Sequence, residues 1–321
     1  MSQVPTSEDI LQAANRISAY AHETPVLSSE SLNRMVGASL FFKCENFQKV
    51  GAFKFRGACN AVFSLTDEEA AKGVATHSSG NHAQALALAA KLRKIPAYIV
   101  MPSNAPQVKV DAVKGYGAEI TFCEPTLQAR EQALNKVVER TGAYFIHPYN
   151  DYRIIAGQAT AALELLEKIT DLDVIIPPVG GGGLLSGTAL AAHYFSDSVR
   201  VIGAEPAGAD DAYRSLQENH IIPSTDPNTI ADGLLTSLGD KTFPIIRDYV
   251  DKIITVQERS IAKAMKHLWE RLKVVVEPSA AVPVALLLES GQKFKGTRIG
   301  IILSGGNVDL NKLPAYLNLI E

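Results

Sequence analysis

The feature that narrows the fold most is an alternation. Short runs rich in β-branched and aromatic residues, bounded by Gly or Pro, recur at 39–45, 73–77, 97–101, 119–123, 143–147, 174–179, 199–204, 252–256 and 298–303. Between most of them lie helical patterns, at 82–94, 127–140, 155–169, 184–195, 260–272 and 279–289. Strands that alternate with helices predict an α/β fold of open, twisted, mostly parallel sheets with helices on both faces. In such sheets ligands settle in the crevice beyond the carboxyl ends of the strands. Three compact strand–helix units between about Gly73 and Arg140 read as a small domain, with limits at 66–151, inserted into a larger one formed by 1–65 and 152–321. No low-complexity linker and no internal repeat interrupts this pattern.

Composition removes several function classes. With 46% hydrophobic and 20% charged residues over 321 positions, the chain can bury a large core. A net charge of −3 and the absence of any Lys/Arg block argue against nucleic acid or an anionic membrane as partner, leaving a small molecule. The first residues lack the basic and apolar regions of a secretory signal, and the apolar run at 280–288 is too short to span a bilayer and contains Pro283. A cytoplasmic location is the expectation. Cys44, Cys59 and Cys123 are odd in number and far apart, so they read as reduced thiols, and no Cys/His group has zinc spacing.

Three loops at strand ends carry the chemistry. Gly180 to Gly183 follow the apolar run Val174–Val179 and open a helix at Leu184, where backbone N–H groups and a helix N-terminus can hold a phosphate. A tight strand-to-helix turn is the plainer alternative, although it needs one or two glycines rather than four. Neither the Walker pattern nor the dinucleotide Gly spacing is present, which leaves pyridoxal phosphate as a natural candidate. Ser78-Ser79-Gly80-Asn81-His82 sits at a strand end and opens a helix, suiting either an anion such as a substrate carboxylate or a simple serine cap. Ser304-Gly305-Gly306-Asn307 follows the buried strand 299–303 in the same way. Lys54, between Phe53 and Phe55, is either a Schiff-base nucleophile or an ordinary lysine with a buried stem.

Taken in order, Phe53-Lys54-Phe55-Arg56-Gly57-Ala58, Ser78-Ser79-Gly80-Asn81-His82, Gly180–Gly183, Val276-Glu277-Pro278 and Ser304-Gly305-Gly306-Asn307 resemble the serine racemase and serine/threonine dehydratase family of fold-type II pyridoxal-phosphate enzymes. The resemblance covers essentially the whole chain, and 43–49 with Ala156-Gly157-Gln158 look closest to eukaryotic-type serine racemases. It implies a tryptophan synthase β-like architecture and a homodimer. It further implies that Lys54 binds the cofactor covalently and Phe53 packs against its ring. Asn81 would bond the phenolic oxygen, Gly180 to Gly183 and Leu184 the phosphate, and Ser304 the ring nitrogen. A hydroxyl at 304 leaves that nitrogen neutral, a weaker electron sink that disfavours transamination. Ser78, Ser79, Gly80, Asn81 and His82 would form the substrate loop, with Lys54 and Ser79 as the two bases. Ala52, where a serine is common, and Tyr149, where mammalian racemases have asparagine, depart from the pattern.

The acidic stretch after 204 offers Glu205, Asp211 and the Ala209 carbonyl, hard donors suited to magnesium or calcium or, equally, caps for the next helix. Resemblance to the metal site of serine racemases favours the ion. Lys49, Tyr116, Lys273 and Asn307 match positions that bind ATP as an effector in some relatives. The activity expected is serine racemisation with side elimination to pyruvate and ammonia. The alternatives are a dehydratase for threonine or threo-3-hydroxyaspartate and, more remotely, a non-catalytic ligand-binding protein.

Overall fold

The computed structural model describes residues 3–321. Ten strands form two sheets. The larger is built from β1 (Val26–Leu27), β2 (Ser39–Cys44), β7 (Val174–Ile176), β8 (Arg200–Pro206), β9 (Lys252–Val256) and β10 (Arg298–Leu303), in the order β1-β2-β10-β7-β8-β9. All of its pairs are parallel except β1 with β2. The smaller sheet holds β3 (Val74–His77), β4 (Ala97–Pro102), β5 (Glu119–Cys123) and β6 (Tyr144–Phe145), all parallel, in the order β5-β4-β3-β6. This is the α/β fold-type II architecture. Its central strands are covered on both faces, so β10 is buried from Ile299 to Leu303 and β7 throughout.

Two details depart from the sequence reading. β7 ends at Ile176 rather than 179, because Pro177 and Pro178 have no N–H to give the ladder, although a bridge from Pro178 to Ala204 continues the pairing. The chain also forms a helix over Lys54–Phe63 that no apolar period announces, because Phe55 through Val62 are buried on every side.

That helix fixes the site. It packs on the central helix Tyr152–Lys168 so closely that a Cβ at Gly157 would stand 2.7 Å from Gly57 Cα. The helix Gly183–Phe195 packs on the other side of the same element, where a Cβ at Gly187 would stand 2.7 Å from the Ala159 nitrogen. Backbone-to-backbone contact thus sets the lysine helix and the glycine-loop helix against one support.

A buried ionic group locks the support. Arg56 Nε donates to Glu45 Oε2 at 2.7 Å and its Nη2 to Glu45 Oε1 at 2.9 Å, a bidentate pair, while Nη1 donates to Glu164 Oε1 at 2.6 Å. Lys43 Nζ donates to Glu164 and to the Thr24 carbonyl. Arg56 and Glu45 are both 0% exposed, so each charge is held by the other's presence. The group ties β2, the lysine helix and the central helix together two residues from Lys54.

Candidate active site

Lys54 begins its helix with its side chain inside the crevice, where the Nζ donates to the Pro148 carbonyl at 3.0 Å and lies 5.1 Å from the Phe53 ring centroid. Burial depresses its amine to about 8, with nearby Glu277 acting in the opposite direction. A neutral, nucleophilic amine is therefore accessible near neutral pH. Phe53 N–H donates to the Ser304 carbonyl at 3.0 Å, and Ala52 bridges Gly305, so the lysine loop and the last glycine loop are stitched together.

The glycine loop makes a cradle. Gly182, at φ 87°, precedes the helix Gly183–Phe195 without any side-chain cap, leaving the first N–H groups of that helix to a ligand. A Cβ at Gly180 would meet Leu234 Cα at 2.9 Å, and one at Gly182 would meet Leu238 and Ile246 at 2.8 Å. At Gly181 the space for a Cβ is filled by the Tyr149 ring, and Thr242 Oγ1 donates to the Gly181 carbonyl at 3.0 Å. Four glycines exceed the need of a turn because backbone closes on Gly180 and Gly183, the Tyr149 ring on Gly181, and a positive φ with packed side chains on Gly182. Leu184, next in line, is 4% exposed.

The other two loops meet through their amides. Asn81, the first residue of the helix Asn81–Arg93, donates from Nδ2 to Glu277 Oε1 at 3.0 Å, and Asn307 Nδ2 donates to Asn81 Oδ1 at 2.8 Å and to the Val50 carbonyl at 2.7 Å. Burial pushes the Glu277 carboxyl up to about 7, with Asp232 adding to the effect. Ser78 and Ser79 are half-buried at the end of β3, and a Cβ at Gly80 would meet nothing within 4 Å, so this stretch lines open space. Ser304 is buried at the end of β10, 3% exposed. His82 lies deeper, 2% exposed, and burial with the neighbouring Lys54 charge holds its ring far below the ordinary imidazole range.

Pyridoxal phosphate fits these residues: a cradle of uncapped N–H groups for a phosphate, a buried amine for a carbonyl, and an amide and a hydroxyl between them. Comparison with known proteins agrees. The sequence family described as pyridoxal-phosphate dependent enzyme matches residues 17–305. The chain belongs to this family. It is similar to a serine racemase of Arabidopsis thaliana, 56% identical over 309 residues covering 95% of this chain and 93% of that protein. It is also similar to a beta-hydroxyaspartate dehydratase of Paracoccus denitrificans, 53% identical over 311 residues, with 97% and 99% covered. Among solved structures, maize serine racemase superimposes with a TM-score of 0.95 at 51% identity, covering 98% of each chain.

The acidic stretch has a double character. Glu205, at the end of β8, accepts from the Ala212 and Tyr213 N–H groups at 2.8 Å each, and so caps the helix Asp211–Glu218. Asp211 Oδ2 is buried with no partner. Burial raises the Glu205 carboxyl to about 9 and the Asp211 carboxyl to about 6. Among the described residues no three carboxylate, imidazole or thiol groups gather to hold a metal, so an ion here would need the Ala209 carbonyl and water as further ligands.

The four positions matched to a nucleotide are dispersed in their contacts. Asn307 is engaged with Asn81 and Val50, Lys49 Nζ lies 5.8 Å from the Phe55 ring centroid, Tyr116 packs into the core of the small sheet, and Lys273 is exposed at φ 62°. Glu277, Pro148 and Thr242 are site residues to which the motifs assigned no role, whereas Tyr149 departs from the pattern at a position that contacts the cofactor in mammalian racemases. Glu277 had a sequence signal, a carboxylate just before the proline that opens the helix Pro278–Ser290. The Pro148 carbonyl had none.

Proposed function

We propose that the chain is a serine racemase that also eliminates water from serine to give pyruvate and ammonia, with Lys54 and Ser79 as its two bases. The observation that carries this reading is Lys54: a half-buried amine with a depressed pKa, bonded to the Pro148 carbonyl in the turn whose next residue, Tyr149, lies on the glycine cradle. Pyridoxal phosphate, when bound, withdraws electrons from the attached amino acid and so acidifies its Cα proton. The Lys54 amine takes that proton from one face, and the Pro148 carbonyl orients it by accepting one N–H. Ser79 serves the opposite face, where a hydroxyl, a poor base at its ordinary pKa, requires a positive charge beside it to act. The N–H groups at the start of the helix Asn81–Arg93, which has no side-chain cap, hold the substrate carboxylate. If the β-hydroxyl instead takes up a proton and leaves as water after deprotonation, the same site eliminates, and hydrolysis of the released enamine gives pyruvate and ammonia.

Similar identity to a beta-hydroxyaspartate dehydratase and to an L-threo-3-hydroxyaspartate ammonia-lyase favours a second reading, elimination from threo-3-hydroxyaspartate, with threonine as the related substrate. Chiral product analysis with L-serine, D-serine, L-threonine and both hydroxyaspartate diastereomers separates the two. The first reading requires D-serine from L-serine, and exclusive turnover of a hydroxyaspartate supports the second. Ser79→Ala is expected to collapse racemisation and D-serine elimination by about 100-fold or more while some L-serine elimination remains, because only one face loses its base. Equal loss on both enantiomers assigns Ser79 to substrate docking instead.

The proposal extends to a divalent ion at Glu205, Asp211 and Ala209, supported by two buried carboxyls and one unpartnered oxygen. Chelation is expected to lower the melting temperature and turnover, magnesium or calcium to restore both, and Asp211→Ala to remove the response. An unchanged wild type under chelation leaves these residues as helix caps. A homodimer rests on the resemblance; Phe47 and Val275 are exposed apolar residues on segments joined where Asn46 Nδ2 donates to the Val275 carbonyl at 3.2 Å. ATP binding at Lys49, Tyr116, Lys273 and Asn307 rests on the resemblance alone. Among the described residues no helix is long and apolar enough to cross a membrane.

A further inference from the structure

After β6 the chain turns through His147, Pro148, Tyr149 and Asn150, and this elbow touches the lysine, the glycine cradle and the loop that supports the cradle. The Pro148 carbonyl receives the Lys54 amine at 3.0 Å. Tyr149 lies on the glycine cradle, its ring filling the Cβ space of Gly181 and its Cβ standing 3.0 Å from where a Cβ of Gly183 would be. Asn150 Oδ1 accepts from Lys241 N–H at 2.9 Å and Nδ2 donates to Asp240 Oδ1 at 2.6 Å, which anchors the loop whose Thr242 holds the Gly181 carbonyl. Consecutive residues thus grip the amine, the cradle and the cradle's support.

One side chain closes the elbow. His147 Nδ1 accepts the N–H of Asn150 at 2.9 Å and the N–H of Tyr149 at 3.3 Å. Both donors are backbone groups, so Nδ1 must be bare and the ring proton sits on Nε2. Burial, with His77, Lys54 and Lys241 beside it, holds the ring down at about 3, so it remains a neutral acceptor at working pH. The Tyr149 ring meets the His147 ring edge to face at 4.6 Å between centroids, a second contact in the same turn.

We propose that His147 is a positioning residue, whose Nδ1 folds the elbow so that the Pro148 carbonyl meets Lys54 and Tyr149 covers the phosphate cradle. This rests on Lys54 being the cofactor lysine. A misplaced carbonyl leaves the freed amine without its orienting acceptor, an error that acts on turnover, and a displaced Tyr149 loosens the cradle, an error that acts on cofactor retention.

Two substitutions separate positioning from packing. Asparagine at 147 places an amide oxygen near the Nδ1 position and can accept the same two N–H groups, whereas glutamine reaches instead toward Nε2. With added pyridoxal phosphate and L-serine, His147→Gln is expected to lower kcat about 100-fold with KM little changed, and to raise the half-saturating pyridoxal phosphate concentration about tenfold. His147→Asn is expected to restore both to within about threefold of wild type. Melting of the cofactor-free proteins is followed in parallel. If Asn and Gln variants fall together, or Gln behaves as wild type, the proposal is overturned. Borohydride reduction and peptide mapping of the wild type report separately on Lys54; a label at any other residue removes the Lys54 reading, and this proposal with it.

Discussion

Lys54→Ala abolishes racemisation and elimination alike, by on the order of 10⁴-fold or more, while the protein stays folded. The amine is both the group that binds the cofactor and the base for one face of Cα, so no residual route passes through this site. Survival of the fold follows from what Lys54 contributes to it. Its amine makes a single hydrogen bond, to the Pro148 carbonyl, and burial already disfavours its charged form. Lys54→Arg fails equally, because a guanidinium neither condenses with an aldehyde nor gives up its proton near neutral pH. Turnover of L-serine, measured beside the melting temperature, checks the prediction. Near-normal turnover in either variant contradicts the mechanism.

Arg56→Leu is expected to act on stability with comparable force, at a cost of about 3–5 kcal/mol. The guanidinium is the bidentate partner of Glu45 and bonds Glu164, and its loss leaves a carboxylate at 0% exposure with only Thr24 and Lys43 near it. The sign with pH follows. Burial acts to raise the Glu45 carboxyl, but Arg56 more than reverses this and holds it below the ordinary value. A carboxyl depressed in the folded state contributes stability above its unfolded pKa and loses it as pH falls through the folded value. Without Arg56 burial prevails, and Glu45 gains a proton at higher pH than in the wild type. The melting gap between variant and wild type is therefore widest at neutral pH and narrows toward pH 4. A gap independent of pH contradicts an electrostatic role for Arg56.

Much of this site is legible in the sequence because its parts are local. Four consecutive glycines between an apolar strand and a helix are a contiguous signal, so Gly180 to Gly183 announce their cradle, although the residues that close on them, Tyr149 and Leu234 among them, are not marked by it. The strand at 298–303 and the loop after it are contiguous, and the same holds for 73–77 with Ser78–His82. What escapes reading is contact across the chain. Pro148 meets Lys54 from 94 positions away through a carbonyl that any residue would supply. The helix Lys54–Phe63 hides because burial on all sides erases its period, and β1 hides because two residues are too few to show one. Arg56 stood within a recognised motif, yet its purpose appears only when Glu45 and Glu164 are brought to either side of it. His147 escapes for another reason: its partners are in its own turn, but they are backbone N–H groups that any residues would supply, so no side chain beside it marks the role.

The most direct test of the central claim is incubation of the cofactor-loaded protein with L-serine in deuterium oxide, followed by chiral separation and mass analysis of the serine pool. A two-base site that removes the Cα proton predicts D-serine carrying deuterium at Cα, accompanied by pyruvate. Recovery of only unlabelled L-serine, with no pyruvate, would contradict the account.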